Sequence, residues 1–255
     1  MILLLSPSKT IDTSHTTSSS SSSTPRFISE AEHIVNKLRK LNTNDLAKLM
    51  KISPKLSELN YDRYQHWNKD HNLSNSKQAI LSFKGEVFTG LDAASFSDGD
   101  LSYSQSHLMI LSGLYGVLRP LDLIQPYRLE ISTKISIGNS TSLYNFWQSH
   151  ITKNINNELK EHSNNPIINL ASLEYFNAID ISKLEANVIT PVFKDFKDGK
   201  YKIISIYAKK ARGLMTQYII KNKIDKVEEL KLFEQDGYFF NDKLSKAKEL
   251  IFTRG

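Results

Sequence analysis

The chain opens on a short unbroken apolar run, residues 2–5, followed by Ser6-Pro7-Ser8-Lys9-Thr10. A continuous run of this length predicts a strand buried on both faces. Residues 28–60 change period. Ile34, Leu38 and Leu41, then Leu46, Leu49 and Met50, recur at helical spacing. Thr43 or Asn44 is placed to cap the second of these helices, and Pro54 suits the first turn of a third, short helix over 55–60. Tyr61, Tyr64 and Trp67 continue at three-residue spacing as a packing stripe. Residues 75–83 predict one more helix, ending near Gly85.

The middle of the chain predicts a strand over 108–111, then a turn-rich stretch around Gly113, Gly116 and Pro120. Residues 143–161 make an amphipathic helix, with Phe146, Trp147, Ile151, Ile155 and Leu159 on or near one face. A buried strand over 167–170 and a helix over 173–179 follow. Residues 188–193 and 201–207 flank Asp198-Gly199 as a hairpin whose loop is longer than two residues. A helix over 208–222 comes next. Gly237-Tyr238-Phe239-Phe240 and Leu250-Ile251-Phe252 form a closing β element. Strands and helices interleave without segregating, which predicts an α/β (α+β) fold with a mixed central sheet and surrounding helices. No internal repeat or linker divides residues 1–255, which read as one domain. Residues 14–24 are all Ser or Thr except His15. They have no period and nothing to bury, and predict a mobile loop.

Composition narrows the function classes. With 40% hydrophobic and 24% charged residues, wholesale disorder is excluded. The absence of cysteine excludes disulfides, thiolate zinc sites, Cys-ligated iron–sulfur clusters and cysteine nucleophiles. No run approaches the roughly 18 apolar residues of a spanning helix, and the apolar start lacks a basic flank. No membrane partner is therefore expected, and the cytoplasm is the expected location. The net charge is only +6, but residues 194–212 hold seven cations against two anions. Such clustering suits phosphates or nucleic acid, or else marks a solvated basic face.

Several constellations carry candidate chemistry. Ser6, Ser8 and Lys9 lie just past a strand end, where open sheets bind ligands; the glycines of a Walker loop are missing. Residues 111–130 set Tyr115, Arg119, Arg128 and Glu130 in an apolar frame. Arg119 and Arg128 can clamp an anion, or pair with Asp122 and Glu130 as structural bridges. Asn169, Ser172 and Glu174 follow a buried strand. Ser172 suits a helix cap, and Glu174 is either a capping acid or a catalytic carboxylate. Lys209, Lys210 and Arg212 open a predicted helix, against its dipole, which points to an anionic partner. Residues 43–60 have the outline of a helix-hairpin-helix, with Lys48, Lys51, Ser53 and Lys55 around the turn; two packed core helices would read the same way. The seven histidines make no HxxxH or HExxH, and no dinucleotide fingerprint occurs. No metal and no cofactor is expected.

Taken together, Leu5-Ser6-Pro7-Ser8-Lys9-Thr10, Phe83-Lys84-Gly85-Glu86-Val87-Phe88-Thr89-Gly90-Leu91, residues 111–130, Asn169-Leu170-Ala171-Ser172 with Glu174-Tyr175-Phe176, residues 202–205 and 207–215, and Gly237-Tyr238-Phe239-Phe240 resemble the YaaA family of bacterial peroxide stress proteins. The likeness runs almost end to end. It departs at the Ser/Thr tract and at Leu173, where a polar residue is common. The resemblance implies a cytoplasmic protein that protects against hydrogen peroxide and helps limit free intracellular iron. It also implies double-stranded DNA as partner, and a family-specific fold with a helix-hairpin-helix and a basic cleft. Lys51, Lys55, Lys209, Lys210 and Arg212 would then contact phosphates. The alternative is an enzyme acting on a nucleotide or damaged nucleobase, with Ser6, Lys9, Tyr115, Arg119, Arg128, Glu130, Lys209 and Arg212 converging on one pocket. A small anionic or nucleotide ligand fits that second reading.

Overall fold

The computed structural model describes residues 1–14, 21–164 and 166–255. Its centre is the strand Ile2–Leu5, all four residues buried, between parallel strands Leu108–Ser112 and Ile167–Asn169. Val188–Lys197 and Glu249–Arg254 extend the parallel set on the Ile167–Asn169 side. Antiparallel strands Gly116–Leu118 and Phe239–Phe240 form the two edges. Lys200–Lys202 pairs with Val188–Lys197, completing an eight-stranded mixed sheet. Full burial of a parallel strand explains why its sequence reads as an apolar run without alternation.

Helix Leu143–Leu159 covers the sheet with Leu143, Trp147, Ile151, Ile155 and Leu159, a seam of i, i+4 steps. Its Trp147 lies on Gly116 (φ +68°), where a Cβ would stand 2.5 Å from the ring. Helix Ile28–Leu38 buries Ala31, Ile34, Val35 and Leu38. Of the aromatic stripe, Tyr64 and Trp67 are buried in the core. No helix among the described residues is long and apolar enough to cross a membrane.

Several boundaries differ from expectation, each for a local reason. Helix Thr43–Met50 is capped by Asn42, whose side chain accepts the Asp45 N–H at 2.9 Å; Thr43 and Asn44 lie within the helix. Residues 75–83 hold only the single turn Ala79–Ser82, between short strands Lys77–Gln78 and Phe83–Lys84. There the Ala79 and Ile80 amides donate to the Asp122 and Pro120 carbonyls, so tertiary pairing overrides helical pattern. The Asp198-Gly199 loop has two residues, both with positive φ, and Lys197 pairs with Lys200 across it. The second strand then stops at Lys202, and helix Ser205–Asn222 begins three residues before expectation. The helix expected over 173–179 is one turn, Leu173–Phe176. Residues 15–20 of the Ser/Thr tract lie outside the described residues. Beyond them Ser23 is fixed, its amide on the Leu121 carbonyl at 2.9 Å and its hydroxyl on Asp122 at 2.6 Å.

Candidate functional site

The chain leaves Ile2–Leu5 for a sheet neighbour on one side, Leu108–Ser112, and leaves Ile167–Asn169 for a neighbour on the other, Val188–Lys197. Where successive connections diverge in this way, an open sheet leaves a crevice outside its strand ends. Ser6 and Ser172 meet across that crevice. The Ser172 amide donates to Ser6 Oγ at 2.8 Å, and Ser6 Oγ donates to Ser172 Oγ at 3.1 Å. A cleft of about 420 Å³ opens above them, within the size range of small-molecule sites.

Two crossing helices contribute to its lining. Glu86–Leu91 carries Glu86, Val87 and Phe88; Ser205–Asn222 carries Lys209 and Arg212. The helices cross backbone to backbone. A Cβ on Gly90 would lie 2.2 Å from the Lys210 carbonyl oxygen, and one on Gly213 would lie 1.9 Å from that of Val87. Only glycine permits this approach. Gly85 (φ +123°) turns the chain into the first helix, beside Ser8. The start of the second helix is held by Arg254, whose guanidinium stacks between Tyr207 and Tyr238 and pairs with Asp195.

The third wall is an extended segment with strict alternation. Tyr127, Leu129 and Ile131 are buried while Arg128 and Glu130 are partly exposed, and residues 127–130 all line the cleft. Gly113 admits this segment, since a Cβ there would lie 2.3 Å from the Leu129 carbonyl oxygen. Tyr64 donates its hydroxyl proton to the Arg128 carbonyl, and Ser112 Oγ meets the Tyr127 hydroxyl at 2.7 Å.

The charges are incompletely paired. Glu130 binds Lys9 at 2.9 Å and, more loosely, Arg128 at 3.5 Å. Arg128 Nε is buried without a hydrogen-bond partner. Arg212 has no ion pair or side-chain hydrogen bond among the described residues, and burial lowers its pKa. Lys209, exposed on the same helix, makes no ion pair among the described residues either. Glu174 takes the Ser132 hydroxyl at 2.5 Å and pairs with no cation among the described residues. Burial pushes the Tyr127 and Tyr175 hydroxyls up, so both stay neutral at ordinary pH. The arrangement can hold an anion on guanidinium edges and offer carboxylates to a donor or a transferable proton.

Of the residues singled out in the sequence, Ser6, Lys9, Arg128, Glu130, Ser172 and Glu174 line this cleft, together with Lys209 and Arg212. Three do not. Tyr115 is in the core, where its hydroxyl receives the Trp67 Nε1–H at 3.0 Å and faces His71 Nε2 at 3.0 Å. Arg119 binds buried Asp122 through Nε at 3.2 Å and Nη2 at 3.0 Å, away from the cleft. Asn169 is buried, its side chain accepting the Ala171 amide at 3.1 Å. Ser172 makes no side-chain cap; its hydroxyl faces Ser6 instead. Because the helix begins at Ser205, Lys209, Lys210 and Arg212 lie beyond its first turn, and the dipole argument for them fails. Lys210 turns to Asp236 at 3.5 Å.

The hairpin candidates lie elsewhere. Helices Thr43–Met50 and Pro54–His66 join through Lys51-Ile52-Ser53, with Lys51 left-handed (φ 52°) and Ser53 capping the second helix. Lys48, Lys51 and Lys55 are exposed and make no ion pair among the described residues. Tyr64 follows the helix's first residue, Pro54, by ten residues, about 15 Å along the helix from the turn. Ser8, singled out with Ser6 and Lys9, also lines the cleft. Sequence reasoning gave no site role to Glu86, Phe88 or Tyr175; only the glycines at 85 and 90 signalled close backbone there.

Comparison with known proteins adds an independent finding. A family model described as "Peroxide stress protein YaaA" matches residues 1–244. A protein designated UPF0246 from Aliivibrio fischeri is 48% identical over 254 residues, covering 100% of this chain and 98% of the relative. A UPF0246 protein of Saccharophagus degradans is also 48% identical over 254 residues, at 100% and 99% coverage. One from Clostridium beijerinckii is 47% identical over 256 residues, at 100% and 98%.

Proposed function

The chain belongs to the YaaA family of peroxide stress proteins, and on that footing we propose that it protects the cytoplasm against hydrogen peroxide by binding double-stranded DNA through two basic surfaces. The cleft is one surface; the hairpin turn Lys51–Ser53 is the other. The observation that carries this reading is Arg212, a half-buried guanidinium with no partner, beside unpaired Lys209. A desolvated cation without a counter-ion is costly unless a ligand supplies one. Lys48, Lys51 and Lys55 add three exposed cations around a turn whose Lys51 and Ile52 amides are both taken by the Ala47 carbonyl, so the lysines themselves would grip phosphates, indifferent to bases. Any effect on free iron is indirect in this reading, since a chain without cysteine lacks thiolate ligands for tight iron binding.

A fluorescent duplex titrated across a salt series tests it. Affinity falls steeply with salt, and Lys209→Glu/Arg212→Glu or Lys51→Glu/Lys55→Glu flattens the slope by about one to two per double variant. Binding that ignores both salt and variants rejects the DNA reading.

The second reading, an enzyme acting on a nucleotide or damaged nucleobase, is favoured by one observation. Glu130 and Glu174 line the same cleft as the cations, beside apolar Phe88, Leu129 and Tyr175. A surface that only gripped phosphates would be weakened by carboxylates there.

A further inference from the structure

The unpaired groups of the cleft are of two opposite kinds. Arg212 and Lys209 are cations without anions, and Arg128 Nε is a buried donor without an acceptor. Glu174 is a carboxylate without a cation. Lys9 and the remaining edge of Arg128 are already engaged by Glu130. No single small anion satisfies both kinds, because an anion that suits Arg212 is repelled by Glu130 and Glu174. A ligand with an anionic end and a donor end satisfies both at once.

The charge sets the anionic end. Two free cations match a monophosphate; a triphosphate would bring excess negative charge against the carboxylates. The donor end is set by geometry of acceptance. A carboxylate takes two parallel N–H groups side by side, the pattern on the Watson–Crick edge of guanine, whereas thymine offers a single N–H. The apolar faces of Phe88, Leu129 and Tyr175 supply a surface for a planar ring. A volume of about 420 Å³ accommodates one such unit.

We propose that the cleft binds one nucleoside monophosphate unit, its phosphate on Arg212 and Lys209, and its amino-bearing base edge on Glu174 and Glu130. The inference rests on the reading of the cleft as an anion site, and adds which ligand the site selects. The unit is either a free nucleotide or a residue turned out of DNA, and the chemistry of recognition is the same for both.

Calorimetric titration of the full chain with dGMP, dTMP, deoxyguanosine and inorganic phosphate tests this. The expected order has dGMP about tenfold or more tighter than dTMP and than phosphate. Arg212→Met lowers dGMP affinity about tenfold or more and leaves deoxyguanosine unchanged. Glu174→Gln brings dGMP and dTMP to near-equal affinity. A folded Arg212→Lys variant retaining part of the dGMP affinity guards against loss through misfolding. Phosphate binding as tight as dGMP, or dGMP and dTMP binding alike in the unmodified chain, overturns the proposal. So does duplex binding without any nucleotide binding. Conversely, dGMP binding in a chain that binds no duplex sinks the DNA reading and leaves this one standing. Competition by a short duplex bearing one extrahelical guanine identifies DNA as the source, while an undisturbed dGMP complex identifies the free nucleotide.

Discussion

Gly213 lies so close to Val87 that a methyl group at residue 213 would stand 1.9 Å from the Val87 carbonyl oxygen. This contact locks together the helices that carry Phe88 and Arg212. Gly213→Ala must push them apart, and we expect a destabilisation of about 1–3 kcal/mol or more. Chemical denaturation measures it. The same variant should weaken anion binding in the remaining folded protein, because one cleft wall moves relative to the other.

Arg212 should show the reverse balance. Its guanidinium is desolvated without a partner, so Arg212→Met removes a burden from the empty protein. We expect stability without ligand to rise by about 1 kcal/mol. Addition of phosphate or nucleotide should then stabilise the variant less than the unmodified chain. Paired thermal melts with and without ligand test both signs. A variant less stable without ligand shows that Arg212 supports the fold.

Asp122 belongs to the fold and not to the cleft. It is fully buried and accepts Arg119, the Arg119 amide and Ser23. Burial raises its carboxyl above the usual range, against the pull of Arg119. Asp122→Ala leaves those donors unanswered and should cost about 3 kcal/mol. Nucleotide affinity of the folded fraction should not change. A selective loss of affinity at unchanged stability would place Arg119 back in the site.

Acid should destabilise the protein through His71. Burial lowers its pKa to about 4, whereas the unfolded side chain titrates near 6.5. As pH falls the unfolded chain takes the proton first. The contribution is fully present above about pH 6.5 and is lost progressively towards 4. Burial also lowers His107 and His162, which act in the same direction. Denaturation midpoints of His71→Gln at pH 7 and pH 5 should differ less than those of the unmodified chain. An equal difference rejects the assignment.

The elements with one dominant period were readable in the sequence. The first strand, helix Leu143–Leu159 and the mixed sheet all follow from local pattern. Residues 75–83 were not, because their amides are claimed by Asp122 and Pro120, far along the chain. Ser6, Lys9, Arg128, Glu130, Ser172 and Glu174 could be picked out as polar groups at strand ends or in an apolar frame. Tyr115, Arg119 and Asn169 carry the same outward signal, yet each satisfies an internal network. Distinguishing them requires knowing which neighbours are already answered, which spacing alone does not encode. The Glu86–Phe88 wall was missed because its position depends on a glycine crossing with a helix over a hundred residues later.

Because buried and partly exposed positions alternate strictly from Tyr127 to Ile131, the packing and the charged roles of that segment are separable by mutation. Residues 127, 129 and 131 answer to packing, Tyr127 and Leu129 also reaching the cleft, while residues 128 and 130 carry the segment's charge there. Substitutions at the second set can change the charge, reach or hydrogen-bonding character of one wall while the hydrophobic interior keeps its shape. The segment thus gives the scaffold a place where selectivity can drift between relatives, or be redesigned, without refolding the protein around it.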